Sequence, residues 1–109
     1  LGAANLGDIG KHFPDTAAEY KGIDSKILLK EVMVLVRNKG YEIGNIDSTI
    51  CLQTPKIGSY IPEMQKVLAI CMNIDVDQVS IKATTTEKLS FVGREEGVSA
   101  YATVLITKI

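Results

Sequence analysis

Tyr41-Glu-Ile-Gly-Asn-Ile-Asp-Ser-Thr-Ile-Cys-Leu-Gln-Thr54 is the stretch on which the fold turns. Ile46, Ile50 and Leu52 fall on one face, and Asn45, Asp47, Thr49 and Cys51 on the other. That period of two predicts a half-buried strand over 41–54. Ile43 has the opposite parity, which predicts a bulge at Gly44 and Asn45. A bulge there returns Ile43 to the face of Ile46, whereas a plain strand sends the two to opposite sides. Pro55 closes the strand because it has no N–H to give a ladder.

Upstream, Asp24 and Ser25 offer N-cap oxygens, and a helix is predicted from there to Lys39 with Leu28, Val32, Leu35 and Val36 on one face. Gly40 suits the C-terminal cap, and Lys39 in the last turn suits the helix dipole. Before that helix, Gly2, Gly7, Gly10, Pro14 and Gly22 break any period, which predicts loop. Downstream, a second helix is predicted over 60–73, with Pro62 in its first turn and Met64, Val67, Leu68 and Cys71 as its apolar stripe. Val79 to Thr84 reads as a short strand. Val98 to Ile109 reads as a strand apolar on both faces: Ala100, Ala102, Val104 and Ile106 on one, Tyr101, Leu105 and Ile109 on the other. Two explanations stay open for it, a central place in a covered sheet or a second face packed on another subunit. The predicted class is α+β, with a mixed sheet.

Composition narrows the function. The chain has 109 residues, the size of one domain, and is 46% hydrophobic and 23% charged, which excludes disorder. Its longest apolar run, Val67 to Met72, is far short of the roughly 20 residues of a membrane-spanning helix. A net charge of -1 gives no bulk attraction to nucleic acid. Cys51, Cys71 and the single His12 do not supply the four ligands of a structural zinc site or the three of a catalytic one. The cysteines, set among apolar neighbours, read as buried free thiols in a reducing compartment. His12 reads as a solvent-facing loop residue.

Four segments carry candidate chemistry. Gly7 to Asp15 places glycines beside an acidic residue, where backbone amides can approach a ligand closely, or is a plain connecting loop. Gln53 to Gly58 lies between a strand and a helix, a place where ligands collect, or is a tight turn. Lys82-Ala-Thr-Thr-Thr-Glu-Lys88 gathers hydroxyls, cations and one carboxylate. Such a set can hold phosphates and a bridging Mg²⁺, or can merely end a strand and cap a helical turn beginning near Glu87. Phe91 to Gly97 can close a site or fill the turn before the last strand.

In order along the chain stand Gly7-Asp-Ile-Gly-Lys-His-Phe-Pro-Asp15, Lys21-Gly-Ile-Asp-Ser25, Lys39-Gly-Tyr-Glu-Ile-Gly-Asn-Ile-Asp47, Gln53-Thr-Pro-Lys56 and Lys82-Ala-Thr-Thr-Thr-Glu-Lys-Leu-Ser-Phe-Val-Gly-Arg94. Together they resemble the C-terminal two-thirds of the 2-C-methyl-D-erythritol 2,4-cyclodiphosphate synthase family, the Thr-Thr-Thr-Glu-Lys-Leu string being the most specific. The resemblance implies a phosphorus-oxygen lyase of non-mevalonate isoprenoid biosynthesis. It converts 4-diphosphocytidyl-2-C-methyl-D-erythritol 2-phosphate to the 2,4-cyclodiphosphate and releases CMP. By resemblance, Asp8, Ile9 and Gly10 contact ribose and the erythritol arm, and Phe13, Pro14, Asp15, Thr16 and Ala17 belong to a loop that closes over the erythritol phosphate. Leu52, Gln53, Thr54, Pro55, Lys56, Ile57 and Gly58 form the cytosine pocket, largely through backbone groups, with a wall altered by Ile57-Gly58. Thr84, Thr85 and Thr86 hold the diphosphate, Thr85 being the catalytic residue; Glu87 ligates Mg²⁺ or Mn²⁺; Phe91 and Arg94 finish the site.

The resemblance further implies a homotrimer with active sites between subunits, its core meeting the second apolar face of the last strand while helices cover the first. It also implies a Zn²⁺ held by an Asp-x-His pair and a later histidine. Nothing here matches those ligands, and the chain starts at Leu1. The expectation is therefore a single domain lacking its N-terminal segment, without the zinc site and without activity as it stands. A non-catalytic cytidine-nucleotide-binding or regulatory module is the alternative, and an unliganded scaffold is what pattern alone favours. The expected location is the bacterial cytoplasm, with a plastid-type organelle as alternative.

Overall fold

The computed structural model describes residues 1–109. Two long helices, α2 (Ser25–Asn38) and α3 (Ile61–Met72), lie on one face of a three-stranded sheet of β1 (Tyr41–Cys51), β2 (Val79–Thr84) and β3 (Ser99–Lys108). Two single-turn helices, α1 (Ile9–His12) and α4 (Ser90–Gly93), sit in the connections. The strand order is β2-β1-β3, with β2 parallel and β3 antiparallel to the central β1. The sheet is therefore mixed, as the sequence predicts.

β1 carries the bulge. Ile43 pairs with Ile106 and Asn45 with Leu105, so Gly44 is left over. A Cβ on Gly44 would stand 3.1 Å from the Leu105 carbonyl oxygen, tighter than ordinary contact, which favours glycine there. Gln78 satisfies the freed carbonyls, its Nε2 donating to Gly44 O at 2.8 Å and to Ile43 O at 3.3 Å. The result puts Ile43, Ile46 and Ile50 all against the core of Met33, Ala69, Met72, Val79 and Ile81.

The strand ends at Cys51, three residues earlier than predicted. Leu52 N still donates to Thr84 O at 2.9 Å, but β2 stops there and Pro55 has no donor, so the chain turns away. The stripe of α2 is centred one residue on from the prediction. Met33 and Val36 are buried and Leu29 packs on the core, while Leu28, Val32 and Leu35 flank them. Asp24 caps this helix by accepting from Lys26 N at 2.9 Å, and Gly40 follows it at φ +95°, a conformation glycine takes without strain. On α3 the packed residues are Ile61, Met64, Leu68, Ala69 and Met72, with Cys71 buried on the flank and Val67 half-buried. Arg37 of α2 donates its Nη2 to the Met72 carbonyl, closing the end of α3 with a side chain from its neighbour.

The N-terminal segment is less loop-like than predicted, with 3₁₀ turns at Gly2–Ala4 and Ala18–Tyr20 around α1. Both cysteines are free, but only Cys71 is buried; Cys51 points to the outer sheet face and is half-buried. The last strand is not central. It forms an edge, and Tyr101 (67% exposed) and Leu105 (60%) stand uncovered on the sheet face away from the helices, with Ile109 (76%) just beyond. The accessible surface of 7417 Å² exceeds the about 5,900 Å² expected of a compact monomer of this mass. The radius of gyration, 15.2 Å, likewise exceeds about 13 Å. No helix is long and apolar enough to cross a membrane.

Candidate active site

β1 and β2 run parallel because α3 carries the chain back across the sheet, so their carboxyl ends share one edge of the molecule. In such sheets that edge is where ligands settle. Here it holds a cavity of about 310 Å³ lined by Leu52, Gln53, Pro55, Lys56, Ile57, Gly58, Ile61, Ala83, Thr84 and Thr85. Two of the predicted segments, about thirty residues apart in sequence, thus make one pocket. Thr54, joined to Pro55 by a cis peptide, belongs to the same turn but does not line the cavity. Ile61 and Ala83 line it unforeseen. The alternation of β2 places Ala83 on the helix side, and Ile61 is the first residue of α3, both legible once the pocket end is known.

The turn after β2 is held by its own polar groups. Thr84 Oγ1 donates to Thr85 O at 3.0 Å, and Thr86 Oγ1 to Leu89 O at 2.7 Å. Thr85 Oγ1 accepts from Glu87 N at 3.3 Å, which leaves its own proton free for an acceptor in the cavity. The predicted helical turn at Glu87 does not form. Glu87 (φ 52°) and Lys88 (φ 67°) are both left-handed, and helix α4 starts only at Ser90. Lys88 N donates to Gln53 Oε1 at 3.1 Å, tying this turn to the one after β1. Lys82 does not face the pocket; it pairs with Asp47 at 2.8 Å on the outer face of the sheet, leaving Lys56 as the cation of the cavity wall.

Glu87 is exposed, adjacent to the threonines, and is the only acidic side chain in Thr84–Lys88. One carboxylate beside a phosphate site is the protein donor set that Mg²⁺ commonly uses, the remaining ligands being phosphate oxygens and water. Glu87 therefore fits such an ion. No group of three His, Cys, Asp or Glu side chains is placed to hold a metal, so these residues do not build a zinc site.

The remaining predicted residues lie elsewhere in the chain. Asp8 and Ile9 line a depression with Ser25, Leu28 and Val32 of α2, and Gly10 sits in α1 beside the Asp8 carboxylate. Phe13 packs edge-on against Tyr20, ring centres 5.5 Å apart, and Pro14 to Thr16 are exposed beyond it. Ala17 precedes the 3₁₀ turn at Ala18–Tyr20. Burial, aided by Glu19 and Glu31, raises the Tyr20 hydroxyl above its usual range. His12 is not a free loop side chain. It is half-buried on α1 with Nε2 2.6 Å from Leu6 O, so as donor it ties α1 to the preceding segment. Phe91 is partly exposed in α4, and Arg94 is engaged by Glu96 at 2.7 Å rather than by the cavity. Within one chain, then, the predicted residues 52, 53, 55–58 and 84–85 share the pocket, and neither 8–17 nor 91–94 contributes to its lining.

A parallel strand pair whose ends present threonine hydroxyls, a lysine and a neighbouring carboxylate defines an α+β protein suited to a phosphorylated small molecule. The profile of the YgbB family matches residues 1–107. The 2-C-methyl-D-erythritol 2,4-cyclodiphosphate synthase of Bacteroides fragilis is 67% identical over 109 residues, all of this chain and 69% of that protein. Among solved structures, the bifunctional IspDF of Campylobacter jejuni superposes with a TM-score of 0.96 at 41% identity, over 100% of this chain and 30% of that one. The Plasmodium falciparum IspF, solved as a CDP complex, gives 0.85 at 33% identity, over 99% and 64%. The chain belongs to the 2-C-methyl-D-erythritol 2,4-cyclodiphosphate synthase family, the YgbB family.

Proposed function

We propose that the protein cyclises 4-diphosphocytidyl-2-C-methyl-D-erythritol 2-phosphate to 2-C-methyl-D-erythritol 2,4-cyclodiphosphate. An oxygen of the 2-phosphate attacks the β-phosphorus, forming one P–O bond. The bond from that phosphorus to the bridging oxygen breaks, and CMP leaves with the bridging oxygen and its electron pair. Both reacting groups belong to one molecule, so the protein's task is to fold the substrate and offset its charge. The observation that carries this reading is that the turn after β1 and the threonines after β2, Thr84 and Thr85, line one and the same cavity.

In this reading the turn after β1 takes the cytidine end, through backbone groups around Lys56. Thr84 and Thr86 steady the diphosphate, and the Thr85 hydroxyl donates to an oxygen of the phosphorus under attack. Mg²⁺ or Mn²⁺, held by Glu87, would neutralise charge across the phosphates. Loop 8–17 closes over the erythritol phosphate, and Phe91 and Arg94, outside the lining formed within one chain, are assigned to the edge of the site by the family resemblance. The separation of loop 8–17 from the cavity within one chain supports a site shared between copies, the loop coming from a neighbour. The uncovered Tyr101 and Leu105 and the excess surface support a homotrimer built on that sheet face. The bacterial relatives support a place in the bacterial cytoplasm, and the Zn²⁺ that the family resemblance implies finds no ligand set among these residues.

Substrate incubated with this chain joined to the zinc-binding segment that the family resemblance implies, with Zn²⁺ and Mg²⁺ and followed by ³¹P NMR, should give CMP and the cyclic diphosphate in equal amounts. Thr85→Ala should lower kcat by about 10²-fold, the scale of a lost transition-state donor. CMP binding without turnover, or an unaffected Thr85→Ala, would sink the assignment. Sedimentation should give a trimer that Leu105→Asp dissociates; a stable monomer of the unaltered protein refutes the assembly.

A further inference from the structure

We infer that Gln53 is a positioning residue for Glu87, its side-chain oxygen fixing the turn that presents the Glu87 carboxylate beside Thr84–Thr86. The inference rests on the reading of Glu87 as the metal-binding carboxylate. Two consecutive residues with side chains, Glu87 and Lys88, hold φ of 52° and 67°. That region is disfavoured for any residue with a Cβ other than Asn or Asp, and persists only where surroundings impose it.

Here the surroundings are identifiable. From below, Gly93 of α4 lies so close to the Lys88 backbone that a Cβ on it would stand 2.1 Å from the Lys88 carbonyl carbon. From the side, Gln53 Oε1 accepts the Lys88 N–H at 3.1 Å across 35 residues of sequence. Only oxygen can accept from an amide N–H, so the orientation of the Gln53 amide is set by chemistry. Thr85 Oγ1 takes the Glu87 N–H, and Thr86 O takes that of Leu89. Of the side chains in this network, only Gln53 comes from the β1 turn. It makes the carboxylate's place depend on the turn that forms the other wall of the cavity.

The test titrates Mn²⁺ into the protein saturated with CDP, with bound metal read by electron paramagnetic resonance. Gln53→Met keeps the length and removes the acceptor; with CDP kept saturating, it should weaken Mn²⁺ about tenfold, the scale of one lost hydrogen bond. Gln53→Glu, which keeps an acceptor, should recover most of that loss. Mn²⁺ affinity unchanged in Gln53→Met but reduced in Glu87→Gln overturns the positioning role alone. Affinity unchanged in Glu87→Gln overturns the metal assignment beneath it. On the unaltered protein, amide exchange supplies a check independent of variant folding. The Lys88 N–H should exchange at least about tenfold slower than its unstructured rate, and exchange at that rate overturns the inference.

Discussion

Gly93→Ala adds one methyl group at the most crowded glycine in the chain. The new carbon would lie 2.1 Å from the Lys88 carbonyl carbon, 2.6 Å from its Cα and 2.8 Å from its oxygen. Carbon atoms rest comfortably at about 3.5–4.0 Å, so the two backbones must separate by more than an ångström, about 1.4 Å at least. Neither has room to give. Gly93 and Val92 are buried, Gly93 N donates to Leu89 O at 3.0 Å, and Lys88 is tethered to Gln53. Overpacking costs about 1–3 kcal/mol and more where backbone meets backbone, so about 3 kcal/mol is expected. For a domain of this size that lowers Tm by about 12 °C. Urea denaturation and thermal melts followed by circular dichroism measure both. Gly58→Ala is the matched control, since a Cβ there meets nothing within 4 Å, and it should stay within about 0.5 kcal/mol. If the two variants differ by less than about 1 kcal/mol, the packing argument for the Glu87–Lys88 turn is wrong.

Met33, 2% exposed at the centre of the core, should cost about 2–5 kcal/mol when cut to alanine, and a loss under about 1 kcal/mol in the same melts would contradict the core assignment. Arg37→Met keeps the aliphatic stem but strips the cap from the Met72 carbonyl; a loss of about 1.5–3 kcal/mol is expected, and an unchanged urea midpoint refutes the cap. Asp24 is held below its ordinary 3.8 by the Lys26 backbone N–H first and the Lys26 side chain second. Its contribution is therefore complete above that value and fades as pH falls through the lower folded one. Asp24→Asn keeps the cap but not the charge. Its urea midpoint should fall below the unaltered protein's at about pH 6 and close on it at about pH 3. A gap that does not change with pH refutes the linkage.

What sequence could and could not reveal divides along the range of the interactions. The bulge was legible because parity alone requires it: Ile43 and Ile46 reach one core only if a residue is left over between them. The lengths of α2 and α3 followed from caps and period. The end of β1 did not, because a strand lasts only as long as its partner, and β2 stops at Thr84. The apolar double face of the last strand was visible, yet its edge position depends on which strand pairs with β1, a choice no local pattern records. At the site, Gln53–Gly58 and Thr84–Thr85 stood out by composition, and their meeting follows from the parallel crossover. The Gln53–Lys88 bond, the Arg37 cap and the Gln78 hold on the bulge span 35, 35 and 34 residues, beyond the reach of any spacing rule. His12 looked free for the same reason, its partner being a main-chain carbonyl with no signature.

The antiparallel ladder joins Tyr41 to Lys108, and Ile109 N donates to Gly40 O. One whole side of the central strand is therefore completed by β3, the strand that follows all the others in sequence. α2, β1, α3 and β2 can associate through contacts nearer in sequence, while β1 keeps a bare edge until the long loop to β3 closes. That interval is when the chain is most open to pairing with the wrong strand.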